Sequence, residues 1–170
     1  MDHERIATAR FAVLTVSDTR SKEEDLSGAR ICALLEEAGH SICAYDLVQD
    51  EASEIVLTVS GWSEDASIDA IIVTGGTGPA PRDVTPEAVV PLFSSTLQGF
   101  GELFRHLSYN EIGASAMLSR AEAGLIDEGK QRTAVFLLPG SPNAIELAMS
   151  KLIIPEIGHL LAVCQGKNTI

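Results

Sequence analysis

The chain has 170 residues, 45% of them hydrophobic, which suits one α/β domain that buries roughly two-thirds of its unfolded surface and leaves no room for a second. Acidic residues outnumber Lys plus Arg by 24 to 12, a formal net charge of −12, so the average field repels polyanions and disfavours nonspecific nucleic-acid or membrane-surface binding. A phosphorylated ligand must then be held by local devices, namely backbone N–H groups at helix starts and a divalent cation.

Residues 1–9 are polar with charges of both signs and read as a flexible tail before a domain spanning 10–166, with 167–170 as a second tail. No apolar stretch approaches bilayer length, which implies a soluble cytoplasmic protein without a membrane partner. Arg10 to Val16 is apolar and rich in β-branched residues and ends in Ser17-Asp18-Thr19, the pattern of a buried strand running into a loop. Ile31, Leu34, Leu35 and Ala38 then repeat with helical spacing from about Leu26, and Gly39 is placed to end that helix in a left-handed conformation. Ser41 to Val48 is a second strand. Asp50 follows it directly and could cap a helix through Ile55, Val56, Val59 and Trp62, which is its plain structural role.

Ala70 to Thr74 is a third strand that empties into Gly75-Gly76-Thr77-Gly78, where glycines permit a sharp turn and close approach to a ligand. Thr85-Pro86-Glu87 reads as an N-cap, a proline at the first helical position and an acidic first turn. Phe100, Leu103, Phe104 and Leu107 mark a helix over 99–109, and a second helical piece is expected over Ser115 to Ala121, packed against it. Phe100, Phe104 and Leu107 are assigned to the core or a subunit interface rather than to a stacking platform for a ligand. A turn at Asp127 to Lys130 leads to an apolar strand, Thr133 to Leu138, and to the loop Pro139 to Asn143, in which Ser141 and Pro142 resemble a cap and first helical residue. The last helix carries Ile145, Ala148, Leu152 and Ile153, and Pro155 should kink or divide it.

Cys32, Cys43 and Cys164 are odd in number and sit in apolar surroundings, which fits reduced core thiols better than disulfides. His3, His40, His106 and His159 show no metal-ligand spacing and read as surface or capping residues. Glu36-Glu37 reads as a solvated face. Strands alternating with helices imply a three-layer α/β fold, a mainly parallel sheet with helices on both faces. Ligands of such sheets sit beyond the strands' carboxyl ends, so the loops at Ser17-Asp18, Asp50, Gly75 to Asp83 and Pro139 to Asn143 are expected to converge on one rim.

The loop Gly75 to Ala88, GGTGPAPRDVTPEA, lacks the Gly-Lys-Ser/Thr ending of a Walker loop and is not GxGxxG, which excludes support for a P-loop NTPase or a dinucleotide oxidoreductase. That loop, with Thr15 to Arg20, Asp25 to Gly28, Gly99 to Arg105, Ser108 to Gly113, Ser119 to Ala121 and Leu138 to Pro142, resembles the MoaB/Mog family of molybdopterin-binding proteins, which includes the G domain of gephyrin. The resemblance runs from about Arg10 to Val163, and the Ser108 to Ala121 stretch is closer to the MoaB branch. It implies transfer of AMP from Mg-ATP to the terminal phosphate of molybdopterin, with release of pyrophosphate, by a homotrimer or hexamer that also meets a molybdate-insertion protein. Asp83 and Asp50 match the family positions implicated in catalysis or Mg²⁺ binding. The resemblance assigns Ser17, Asp18, Gly28, Gly75, Gly76, Thr77, Gly78, Arg82, Ser108, Pro139, Gly140 and Ser141 to the nucleotide and molybdopterin site.

Several residues also have plain structural readings. In isolation Asp83 would shape an Asx turn before Thr85, Asp50 would cap a helix, Ser17 and Asp18 would shape their loop, and Arg82 would form a surface salt bridge. A noncatalytic molybdopterin- or precursor-binding protein of the same pathway is the alternative function. A general nucleotide-binding regulator is a third.

Overall fold

In a computed structural model, which describes residues 4–128 and 131–167, the apolar runs become six strands in the order β2-β1-β3-β6-β5-β4. β1 (Arg10–Val16), β2 (Ser41–Val48), β3 (Ala70–Thr74) and β6 (Arg132–Leu138) are mutually parallel. β5 (Glu122–Asp127) runs antiparallel to β6 and to the two-residue β4 (Ser95–Thr96). The parallel strands are apolar on both faces because both faces are covered. Ile72 of β3 packs into a core shared with Phe11, Ile31, Phe136 and Ile145, while its neighbours Ile71 and Val73 join Leu14, Ile55, Val59 and Leu137 on the opposite side. The expected mainly parallel, three-layer α/β fold is therefore present.

The first two helices follow the sequence pattern closely. α1 (Leu26–Glu37) ends before Gly39, whose φ of 84° is the left-handed value expected there. α2 (Ala52–Glu64) begins one step later than its anticipated cap, because Glu51 holds the N-cap position and no side chain bonds the first-turn amides. Asp50 therefore caps nothing. α3 (Thr85–Val89) likewise starts one residue early: Val84 is its N-cap, Thr85 is already helical and Pro86 follows it inside the first turn.

α4 (Gln98–Ile112) stops at Gly113, with φ 65°, and runs into a 3-10 helix over Gly113–Leu118. The helical piece expected over Ser115 to Ala121 is thus shorter, and β5 follows it where no strand is anticipated. β5 carries an acid at each end and a central glycine, a poor strand signature. Phe93 compensates by lying over Gly124, its ring 2.3 Å from where a Cβ would stand. Antiparallel pairing of Asp127 with Arg132 requires the chain reversal expected at 127–130, although Gly129 and Lys130 lie outside the described residues.

α5 (Pro142–Ala148) starts as anticipated, with Ser141 as N-cap accepting the Ala144 N–H and Pro142 as first helical residue. Pro155 does not break the helix. A π turn over Met149–Ile153 widens the ladder and leads into α6 (Ile154–Cys164), which absorbs the missing N–H of the proline. The combined helix, 23 residues with mean hydropathy 1.5 in its most apolar window, is long and apolar enough to cross a membrane by length and composition, contrary to the sequence expectation. It serves as a core helix here, burying Ile145, Ala148, Met149, Ile153, Ile157 and Leu161 against the sheet.

The domain boundary also falls earlier than residue 10. The Ile6 N–H donates to Gly158 O at 2.9 Å, Arg5 donates to Pro155 O, and Ala9 is fully buried with its N–H on His40 Nδ1. His40 is thus a structural acceptor, and burial lowers its pKa. Among the cysteines, burial pushes the Cys32 thiol up to about 11 and raises that of Cys164. All three thiols are unbridged, but Cys43 is exposed rather than in the core.

Two helical glycines give a matched test of this packing. A Cβ on Gly61 of α2 would meet nothing within 4 Å, whereas one on Gly158 of α6 would stand 2.5 Å from the Ile6 carbonyl oxygen. Gly61→Ala is expected to stabilise by about 0.5–1 kcal/mol. Gly158→Ala is expected to destabilise by about 1–3 kcal/mol, despite the same gain in helix propensity. Urea denaturation of the two variants checks both signs.

Candidate functional site

The four parallel strands all end at one rim, and the loops that leave them meet there. The central exit is the tightest. Gly75 has φ 98°, donates its N–H to Leu138 O at 2.9 Å, and passes so near β1 that a Cβ would lie 2.3 Å from the Val16 carbonyl oxygen. Gly76, with φ 67°, faces Asp50 and Thr85, and a Cβ there would stand 3.1 Å from Asp50 Oδ1 and 2.4 Å from Thr85 Oγ1. Only glycine satisfies both the dihedrals and the contacts. Thr85 secures the turn from below by donating Oγ1–H to Gly75 O at 2.8 Å and N–H to Gly76 O at 3.1 Å.

Beside this turn lies a cleft of about 430 Å³ lined by Ser17, Arg20, Ser27, Gly75, Gly140 and Ser141. It sits between the N-terminal ends of α1 and α5, where amides lack intrahelical partners and favour anions. The Pro139 to Ser141 loop is fixed to its neighbours: Thr74 Oγ1 donates to Pro139 O at 3.0 Å, and Ser27 Oγ donates to Gly140 O at 2.9 Å. Arg20 reaches Ser27 Oγ at 3.2 Å, which brings a cation to the cleft wall. A mostly apolar groove of about 500 Å³ between α4 and α6 is larger, but it lacks this convergence of glycine turn, helix starts and charge.

The two carboxylates expected to act do not line the cleft. They border the glycine turn instead, Asp50 at Gly76 and Asp83 at Gly78, where a Cβ would meet Asp83 Oδ2 at 2.8 Å. Asp83 Oδ2 accepts the Ala80 N–H at 3.0 Å, so the loop-shaping role is real and leaves Oδ1 for other work. Asp50 is pushed above the usual carboxylate range by burial and then by the negative charges of Asp18 and Asp83. Asp18 accepts the Asp50 N–H at 3.0 Å and is held below its ordinary value by that bond, with a smaller contribution from Arg82. Arg82 spans the rim as an ion pair with both Asp18 and Glu51.

Among the described residues no three His, Cys, Asp or Glu side chains group closely enough to hold a metal alone. Two carboxylates at a phosphate-accessible turn nevertheless match the way Mg²⁺ is usually bound, through one or two carboxylates with substrate oxygens completing the shell.

Three residues expected at the site have other surroundings. Gly28 faces inward, where a Cβ would stand 2.2 Å from Asp25 Oδ2 and 2.7 Å from Thr15 Oγ1. Its smallness lets α1 close over a buried Asp25 carboxylate that accepts the Gly28 N–H and the Tyr45 hydroxyl. Burial, then that bond to Asp25, pushes the Tyr45 phenol upward. Thr77 is buried, and Ser108 is buried on α4 and does not line the cleft.

Arg120 is the residue that sequence reasoning missed. Its guanidinium donates to Gly78 O from Nε and Nη2, to Asp83 O from Nη2 and to the Glu87 carboxylate from Nη1, while its N–H donates to Thr77 O. One side chain thereby turns two carbonyls of the glycine loop away from solvent. Arg20 and Ser27 were likewise missed, although both fall within segments on which the family resemblance rests.

The family described as "Probable molybdopterin binding domain" matches residues 12–159. Molybdenum cofactor biosynthesis protein B of Bacillus subtilis (strain 168) is 54% identical over 153 residues, which cover 89% of this chain and 88% of that protein. The tungsten cofactor synthesizing protein MoaB from Pyrococcus furiosus is similar in structure, with TM-score 0.85 and 37% identity, covering 93% of this chain and 98% of that one. The molybdopterin biosynthesis Mog protein from Mycobacterium ulcerans gives TM-score 0.80 at 28% identity, covering 93% and 98%.

Two substitutions probe the site without any ligand. Because the pKa of Asp50 is raised in the folded chain, its charged form costs stability at neutral pH and the cost vanishes once the carboxyl is protonated. Asp50→Asn is therefore expected to melt above wild type at about pH 7, with the gap closing as pH falls towards about 3. Arg120→Ala strands two loop carbonyls and is expected to destabilise by about 1–3 kcal/mol. Calorimetric melting across pH checks the first, and denaturant titration the second.

Proposed function

The chain belongs to the MoaB/Mog family of molybdopterin-binding proteins, and on that premise we propose that it transfers AMP from Mg-ATP to the terminal phosphate of molybdopterin, releasing pyrophosphate. The observation that carries the proposal is Asp50 and Asp83 set against the glycine turn, with Asp50 free of the capping duty that would otherwise explain it. Joining two phosphates brings anions together, so the chain's task is alignment and charge neutralisation rather than covalent attack by a side chain. Asp50 and Asp83 are the residues that would hold Mg²⁺, and the ion would supply positive charge against that of the phosphates. The N-terminal start of α5, with Arg20 and the Ser27 hydroxyl, supports an anionic ligand in the adjoining cleft. A cytoplasmic setting, where ATP and magnesium are supplied, accords with this reading.

We also propose self-association into a trimer or a pair of trimers. Leu103, Tyr109, Ile112, Met117 and Leu118 on α4 and the following 3-10 helix are all more than half exposed, an apolar set that favours a partner surface. Light scattering is expected to give three or six times the 18.0 kDa chain mass; a monomer at micromolar concentration contradicts this.

Incubation with Mg-ATP and purified molybdopterin is expected to yield pyrophosphate and adenylyl-molybdopterin in equal amounts. Asp83→Asn is expected to lower turnover by at least about 100-fold. Molybdopterin binding with neither product would assign the chain the noncatalytic role instead.

A further inference from the structure

The Arg82 guanidinium joins three loops of the rim. From the glycine loop it donates Nε–H to Asp18 Oδ2 at 3.0 Å and Nη2–H to Asp18 Oδ1 at 3.1 Å and to Glu51 Oε1 at 3.2 Å. Asp18 follows β1 and Glu51 is the N-cap of α2. The bridge is solvent-exposed, with 60% of the Arg82 side chain and 52% of that of Glu51 accessible, so it is readily exchanged. Asp18 does not depend on it, because the Asp50 N–H holds the same carboxylate. Glu51 contributes a negative charge and a competing acceptor at the mouth of the site, and its side chain makes no capping bond to α2. A guanidinium fork fits a phosphate as well as it fits a carboxylate.

We propose that Arg82 is a resident counter-ion that changes partners: it neutralises Asp18 and Glu51 in the free chain and passes to the oxygens of an arriving metal-bound polyphosphate, so that Glu51 competes with the ligand for Arg82. The exchange rests on the nucleotide reading of the rim only in requiring a polyphosphate there. Its signature is directional. Removing the negative charge of Glu51 tightens ligand binding, and does so through Arg82.

Calorimetry with magnesium tripolyphosphate on the full chain tests this with a double-mutant cycle. Arg82→Ala is expected to weaken binding by about tenfold or more. Glu51→Gln is expected to tighten it by about two- to fivefold when Arg82 is present, and by less than about twofold in the Arg82→Ala background. Melting curves matching wild type establish that the exposed substitutions leave the fold intact. An equal gain in both backgrounds would reduce Glu51 to a general charge effect and overturn the exchange, as would no tightening or no tripolyphosphate binding by the wild-type chain. Tripolyphosphate binding with the expected cycle, but no pyrophosphate from ATP and molybdopterin, would remove adenylyl transfer and leave the exchange standing.

Discussion

A parallel sheet delivers the carboxyl ends of its strands to one edge, and each chain must leave that edge by a crossover, so the loops that depart there are forced together. In this protein the crowding is most severe where β3 exits between β1 and β6. Gly75 passes within 2.3 Å, measured from its absent Cβ, of the Val16 carbonyl oxygen, and Gly140 lies beside it, 3.6 Å from Gly75 Cα by the same measure. Side chains are excluded from the centre of the rim by this contact, so backbone groups are what it presents. The polar side chains that matter, Asp50, Asp83, Arg20 and Ser27, stand around that bare centre, each on a different loop or helix start.

Charge is the second constraint. A chain of net charge −12 gives no long-range help to a polyphosphate or a phosphorylated pterin. The start of α5 and Arg20 on the cleft wall offset this locally, while Arg82 at the mouth is balanced by Asp18 and Glu51. Arg120 contributes by geometry rather than by field, because its guanidinium is occupied by Gly78 O, Asp83 O and Glu87 and so turns loop carbonyls inward. Burial and the neighbouring negative charges raise the Asp50 carboxyl, so its charged form is disfavoured in the folded chain.

Much of this was legible in the sequence for a stated reason. β1, β3 and β6 are continuous apolar runs because both their faces are buried, and helix ends at Gly39 and Ser141 obey local backbone chemistry. β5 was not legible, since its centre is a glycine whose missing side chain is supplied by Phe93 from elsewhere in the chain. The capping alternative for Asp50 was not separable from its neighbour in the sequence, because Glu51 is equally polar and only the backbone dihedrals decide between them. Family resemblance assigns Gly28 to the ligand site, whereas its smallness serves the Asp25–Tyr45 contact beneath α1. Arg120 lies in a segment that carries the family resemblance, but its role was not legible there, because its side-chain partners are 33 to 42 positions away and meet it only after folding.

Amide NMR during titration with Mg-ATP tests most directly whether this rim is the ligand site. The account predicts that the largest shifts fall on Gly75, Gly76, Gly78, Asp83 and Glu51, with Arg10 and Asp69 at the opposite end of the sheet unmoved. Shifts centred instead on Phe100, Leu152 and Leu160, in the apolar groove between α4 and α6, would contradict it.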